Sequence, residues 1–464
     1  MKCPRHLVSE CEIGNTKARA ELLPPALKGF PLIGLLFEAR NPLQLLERVA
    51  RQRGDIARFK VGTRWFILLN HPDWVSQVLV LQQNKFRNSD LSQRVLENVL
   101  GQGLLTSDGE SWRRQRCLAQ PAFRRSAIQY YAPTMIRTAQ AHVCNWRNGE
   151  IRDIAEEMTA LMLEMVVQVL FSATLACVAD EISRATAYLM RYWHKRLISV
   201  LNIPKSWPTP GNRRAQREHL LLDSIVYRII SERTKENATQ QRDFLTLLMN
   251  ATDEDGNRMT AKQLRDQTMT LFLAGHETTA LTLAWAWYLL GQNPSCQARL
   301  QEELRRVLVG RVPEAADVAD LPYLRATINE TLRLYPAAAL NSRQSIVPFN
   351  VGGYQFPADT TVLMSSWILH RDVRFFDAPL AFRPERWIDG SINKLPKGAY
   401  FPFGDGPHRC IGQEFALLAV QLVVATIAQR FRFAVVPGHP VVPEQPNLRP
   451  RHGIRMTVHA RSTD

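Results

Sequence analysis

The segment from Thr260 to Leu290 constrains the fold more than any other. Thr260 and Gln263 stand at capping-box spacing, and the apolar pattern behind them runs almost unbroken until Gly291 and Pro294. About thirty residues at 1.5 Å each make a rod of about 45 Å, long enough to cross a whole domain. A polar interruption lies inside it, Ala274-Gly275-His276-Glu277-Thr278-Thr279. Hydroxyls within an apolar helix commonly bond back to their own carbonyls and distort it. His276-Glu277 also opens a zinc-protease pattern, but H-E-x-x-H needs His at 280, where this chain has Ala280.

Helices dominate much of the chain. Residues 1–20 are polar without periodicity and read as a mobile N-terminal arm; the rest, 21–464, shows no repeat or linker and reads as one domain, entered through an extended stretch around Pro24 to Pro31. Asp55–Lys60 and Trp65–Leu69 flank a Gly62-Thr63 turn and predict a hairpin. Ser107 and Glu110 predict a second capping box, ahead of a helix that puts Trp112 and Arg116 on one face. The cluster Pro204, Pro208, Pro210, Gly211 divides helical stretches within 130–250. Short β-type runs such as Thr360–Met364 follow, around Gly352-Gly353 and Pro357, and the last helix begins near Gln413.

Composition narrows the class without naming a chemistry. With 45% hydrophobic and 22% charged residues the chain is an ordinary globular protein. Seven irregularly spaced cysteines without a C-x-x-C pair exclude a disulfide scaffold and fit a reducing compartment. The net charge of +15 bears on partners, leaving nucleic acid, anionic membrane and acidic protein open. No apolar run of 18 residues and no signal-peptide pattern occurs, so a soluble, cytoplasmic protein without a membrane span is expected.

Chemistry concentrates in Phe403-Gly404-Asp405-Gly406-Pro407-His408-Arg409-Cys410-Ile411-Gly412, a glycine-framed loop that presents one cysteine just before an apolar helix. A lone cysteine is usually a small buried hydrophobe. Here the glycines allow a flat ligand to approach the backbone, while the helix N-terminus, His408 and Arg409 favour a thiolate. The loop resembles the haem-binding loop of the cytochrome P450 superfamily, F-x-x-G-x-[HR]-x-C-x-G, through Phe403, Gly406, His408, Cys410 and Gly412. Glu330-Thr331-Leu332-Arg333 resembles the same family's E-x-x-R pair, and Pro384-Glu385-Arg386-Trp387 its P-E-R-F/W segment, in the family's order. The 274–279 interruption resembles its [AG]-G-x-[DE]-T oxygen-activating motif.

The resemblance, spanning about 24–460, implies a mainly α fold with a small β-rich region enclosing haem b (iron protoporphyrin IX). It implies Cys410 as axial thiolate, pushing electrons toward O–O cleavage. Trp112, Arg116, Arg343 and His408 would hold the propionates, Phe403, Gly412 and Ala274 would contact the haem, and Thr278 with Glu277 would serve oxygen activation across a kink in the helix. Glu330, Arg333 and Arg386 would form a buried structural triad. The implied reaction inserts one atom of O2 into a lipophilic small molecule. Substrate walls would come from about 85–105, 195–212, Phe272–Ala274, the residues after Pro336 and Asn447–Arg449, with Leu104, Leu105, Val200, Leu201 and Leu340 among them.

Two rivals from other classes stand beside it, a haem-thiolate isomerase or dehydratase of peroxides and a non-enzymatic haem sensor or electron carrier. The first has no need of the acid and alcohol of Glu277-Thr278. No flavin or ferredoxin motif is visible, so electrons are expected from a separate ferredoxin and ferredoxin reductase, as in soluble bacterial members. Arg113, Arg114, Arg124, Arg125, Lys394, Lys397 and Arg409 are expected to share the face that steers an acidic ferredoxin. The remaining expectations are a monomer and no nucleic-acid partner.

Overall fold

The capping box at the head of the long helix forms. Gln263 N–H donates to Thr260 Oγ1 (3.2 Å) and Thr260 N–H to Gln263 Oε1 (3.0 Å). The helix it opens, Ala261–Gln292, is 32 residues long and unbroken. Its α-helical assignment continues through the 274–279 interruption. The Thr278 and Thr282 hydroxyls donate to the carbonyls of Ala274 (2.7 Å) and Thr278 (3.0 Å), and the helix absorbs both bonds without changing its pairing.

The computed structural model describes residues 23–26, 42–61, 64–171, 181, 184–189, 191–193, 196, 203–204, 206–235, 243–444 and 447–461. The expected N-terminal arm, most of the stretch after Pro25, the Gly62-Thr63 turn, Val200 and Leu201 lie outside the described residues.

Helix Ile154–Phe171 packs along the long helix, and Gln413–Arg430 packs on Arg125–His142 beside it. Trp285 and Trp287 fill the centre, each about 1% exposed. The Trp285 indole N–H donates to Leu448 O (2.9 Å) and its ring stacks on Tyr335 at 3.9 Å and 5°. A buried Trp with its one donor satisfied and its face covered is a fixed point for the core.

The β region is built on the expected hairpin. Ile56–Val61 and Arg64–Leu69 pair antiparallel with Ile56 opposite Leu69. Thr361–Met364 adds in parallel to the second strand, Asn341–Ser345 pairs antiparallel with that, and Phe86–Asn88 closes the five-stranded order. This last pairing sets Arg343 opposite Asn88. Gly352 and Gly353 turn a smaller hairpin at φ +58° and +83°, a conformation that glycine adopts without steric cost. Ile151–Asp153, Arg455–Ala460 and Phe431–Val435 form a separate three-stranded sheet.

The second expected capping box does not form. Helix Gly109–Ala119 has Asp108 as its N-cap with no side-chain cap bond, and the buried Ser107 hydroxyl finds no partner. The Asp108 carboxylate is used elsewhere, accepting from Asn88 N–H (3.1 Å) and from Gln93. Glu110 pairs instead with Arg113 (2.8 Å). Tertiary partners for the flanking carboxylate thus outcompete the local motif. Among the described residues no helix is long and apolar enough to cross a membrane.

Candidate active site

The loop before helix Gln413–Arg430 is shaped by its own backbone. Gly404 N–H donates to Phe401 O (3.0 Å), Arg409 N–H to Gly406 O (3.0 Å) and Cys410 N–H to Phe403 O (2.9 Å). Gly404 and Gly406 take φ +72° and +68°. A Cβ on Gly406 would collide with the Leu79 carbonyl, so this position admits only glycine on two counts. Cys410 emerges at the end, exposed, with Gly412 capping the helix behind it. The protein crowding around the sulfur pushes the thiol up, while the Gly412 N–H and the charges of Arg116 and Arg409 pull it down.

Helix Gly109–Ala119 meets this loop through the face anticipated from the four-residue spacing. Trp112 stacks on His408, centroids 3.8 Å apart and planes 26° apart, and Arg116 Nη1 donates to Arg409 O (2.8 Å). Arg343 approaches from its strand, bonding Ser342 O (2.9 Å) and Asn88 Oδ1 (3.3 Å) through Nη1. Burial, then the nearby charges of Arg343 and Arg116, lower the His408 pKa to about 4. Arg343, Arg116 and His408 thus converge, and among the described residues neither guanidinium is ion-paired with a carboxylate. Burial pushes both arginines down, offset in part by Asp108 at Arg343 and by Cys410 at Arg116. Half-buried cations bonded only to neutral oxygens fit an anionic ligand such as the two propionates of haem.

The long helix supplies a second face. Between Gln263 and Gly291 every residue is buried or half-buried except Ala274 and Thr278, one turn apart. Protein covers the helix on both sides of this stripe and leaves the stripe itself bare. Ala274 offers a flat apolar surface and Thr278 a hydroxyl, currently donating to Ala274 O. Glu277 is half-buried beside the buried His276, whose Nδ1 lies 3.1 Å from Phe272 O and whose pKa burial lowers.

The structure also brings Glu330, Arg333 and Arg386 together. The first two are 0% exposed and Arg386 is 3%. Arg333 bonds both carboxylate oxygens of Glu330 (2.9 and 2.8 Å) and spends its remaining N–H groups on His370 O, Pro379 O and Ala381 O. Arg386 Nε adds a bond at 3.0 Å. Two further donors escaped the sequence reading, the Trp387 indole N–H (2.9 Å) and the Arg383 backbone N–H (3.0 Å). A tryptophan directly after Arg386 was the available signal for the first; a backbone donor leaves none. The run Arg265-Asp266-Gln267, buried inside the long helix, also escaped notice, although three consecutive polar residues in an apolar stretch mark it.

Of the seven basic residues expected on one face, Arg114 is withdrawn. It is half-buried and bound to Asp253 (2.6 Å), Gln263 and Arg258 O. Arg113, Arg124, Arg125, Lys394, Lys397 and Arg409 are exposed.

The family model of cytochrome P450 matches residues 24–458. Cyclooctatin synthase of Streptomyces melanosporofaciens is 36% identical over 433 residues, covering 93% of this chain and 92% of that protein. Cyclooctat-9-en-7-ol 5-monooxygenase of the same organism is 35% identical over 410 residues, with 88% and 89% covered. Pentalenene oxygenase of Streptomyces avermitilis is 30% identical over 417 residues, with 89% and 92% covered. A glycine-framed cysteine loop, unpaired cations beside it and a bare alcohol-bearing helix stripe, together with similarity over nearly the full length, lead to one conclusion: the chain belongs to the cytochrome P450 family, as a haem monooxygenase of lipophilic small molecules.

Proposed function

We propose that this monooxygenase oxidises a terpenoid carbon skeleton, that Cys410 is its thiolate ligand, and that Thr278 and Glu277 manage its protons. The observation that carries the site assignment is the exposure of Ala274 and Thr278 alone between Gln263 and Gly291 of the long helix. The substrate class rests on the relatives named for cyclooctat-9-en-7-ol and pentalenene.

When bound, haem supplies the binding and activation of dioxygen and the oxidising power that the side chains lack. The chain does the rest. Cys410 offers one thiolate from a loop whose turns are set by Gly404 and Gly406. Arg116 and Arg343 would neutralise the propionates, His408, uncharged near neutral pH, would offer them a ring N–H, and Trp112 fixes the His408 ring by stacking. Phe403, Gly412 and Ala274 furnish surface without polar groups. Thr278 holds a proton on its hydroxyl for the oxygen being reduced, and Glu277, half-buried next in sequence, replenishes it. Apolar walls exclude water and orient the substrate.

Electron delivery by a ferredoxin and its reductase, a cytoplasmic location and a monomeric state belong to the same reading. Phe123 lies against Gly412, which places the exposed Arg124 and Arg125 beside the cysteine loop and supports a basic docking face there.

Titrating the ferric holoprotein with cyclic terpene hydrocarbons and alcohols, steroids and fatty acids tests the substrate class. The expected result is a saturable absorption shift with the terpenoids at micromolar concentration. Saturation by fatty acids or steroids alone would overturn the substrate class, and silence across the panel would favour a haem sensor. The thiolate is tested separately. Cys410→Ala should lose the reduced, carbon-monoxide-bound spectrum of thiolate ligation, and its persistence would refute the ligand assignment.

A further inference from the structure

The N-terminal half of the long helix carries Arg265, Asp266 and Gln267, all at most 5% exposed. Buried charges persist only where partners satisfy them, so the partners show what the run is for. Asp266 accepts from the backbone N–H of Gln102 (3.0 Å), from Lys262 Nζ (2.7 Å) and from Arg265 Nη1 (2.9 Å). Gln267 Oε1 accepts from the backbone N–H of Leu104 (3.1 Å).

Gln102 and Leu104 belong to the loop 101–107, between helices Asp90–Leu100 and Gly109–Ala119. A Cβ on Gly101 would overlap the Asp266 carboxylate, and one on Gly103 the Thr270 hydroxyl, so the loop backbone lies directly on the helix. Inside the loop Thr106 Oγ1 bonds Gly101 O (2.6 Å), and Gln115 Nε2 holds Gln102 O (2.8 Å) from the next helix.

The register of the long helix gives this contact its meaning. Gln267, Ala274 and Thr278 stand at i, i+7 and i+11, which at 3.6 residues per turn places them within about 20° of one stripe. Thr270, touching Gly103, precedes Ala274 by one turn, about 6 Å along the axis. The loop is thus tied to the face that leaves Ala274 and Thr278 bare, and it exposes Leu105 (48%) beside the buried Leu104 (8%). Arg265 extends the tie, its Nε donating to Asp223 Oδ1 (2.7 Å) on helix Pro210–Lys235.

We propose that Asp266 and Gln267 are positioning residues that fix the loop 101–107 over the substrate face, so that two bonds from buried side chains to backbone N–H groups set where Leu105 stands and how large a molecule fits above Ala274 and Thr278. The proposal rests on the reading of that stripe as the substrate face. A charge-assisted bond to a backbone N–H fixes both direction and register, whereas an apolar contact tolerates sliding. Lys262 and Arg265 balance the buried carboxylate, so the clamp carries no uncompensated charge.

The test uses holoenzyme in the wild-type form and as Asp266→Asn and Gln267→Met, the latter keeping side-chain length while removing the acceptor. Hydrogen exchange should accelerate at least tenfold at Gln102 in the first variant and at Leu104 in the second, with the loop 403–412 unchanged. The ratio of the dissociation constants of imidazole and 4-phenylimidazole, read from the absorption of the ferric protein, should change at least threefold in both. Where Asp266→Asn fails to fold, Gln267→Met decides. Unchanged exchange would refute the clamp, and faster exchange with an unchanged azole ratio would refute its role in specificity. Failure of the wild-type protein to bind either azole would instead overturn the functional reading beneath it.

Discussion

Glu330, itself without solvent contact, accepts from Arg333 twice and from Arg386, Arg383 and Trp387 once each. Burial alone would raise its pKa, but the bonds and charges of Arg333 and Arg386 outweigh that and hold it below the ordinary carboxylate value. A depressed folded pKa contributes stability that is complete above the unfolded value of about 4.3 and is lost as pH falls through the folded one. Between pH 5 and 3 the unfolding free energy of Glu330→Gln, measured with urea, should therefore fall less steeply than that of the wild type. Arg333→Ala leaves the carboxylate buried with half its charge partners gone, at a cost of about 3–5 kcal/mol, and should yield haem-poor or insoluble protein. Full haem content in that variant would show the triad to be dispensable. Thr278 behaves differently. Its hydroxyl is satisfied by its own helix and is exposed, so Thr278→Ala should leave the melting temperature nearly unchanged while peroxide rises at the expense of product. Unchanged coupling of reductant to product would reduce the hydroxyl to a helix back-bond.

Among the elements, the long helix depends most on its beginning. Its capping box satisfies two N–H groups that the helix cannot satisfy itself, at Thr260 and Gln263. Thr260→Ala should cost about 1 kcal/mol in denaturant unfolding and leave ligand binding intact, because the cap is remote from the Ala274–Thr278 stripe. A loss of azole affinity would mean that fraying reaches the site. The same motif written at Ser107 and Glu110 is not used, since Asp108 joins Asn88 and Gln93 while Glu110 joins Arg113. Both motifs were legible in the sequence, and only one is realised. A capping box contributes on the order of 1 kcal/mol, which a competing tertiary bond can match.

At the scale of the molecule, the +15 charge becomes meaningful only once paired charges are removed. Arg114 is spent on Asp253 out of solvent, whereas Arg125 is exposed and Arg113, although paired with Glu110, keeps that pair on the open surface, where water screens it. Exposed charges steer an oppositely charged partner over a Debye length of about 8–10 Å. Reversing Arg113 and Arg125 to Glu should slow reduction by a ferredoxin at least tenfold at low salt and leave peroxide-driven turnover untouched. Equal loss in both assays would remove the docking role. The cysteine loop, the last helix, the Trp112–Arg116 face and the long rod could be determined from the sequence alone, because glycine φ preferences, caps and helical spacing act between residues close in the chain. Tertiary structure alone decided that Arg114 is paired and that Glu330 also binds Trp387 and the Arg383 backbone. It decided too that the Arg265–Gln267 run holds a loop some 160 residues away, as the Gln102–Asp266 separation of 164 shows. Those choices depend on burial and on which distant partner arrives, and a buried polar group takes its energy from that partner and not from its sequence neighbours.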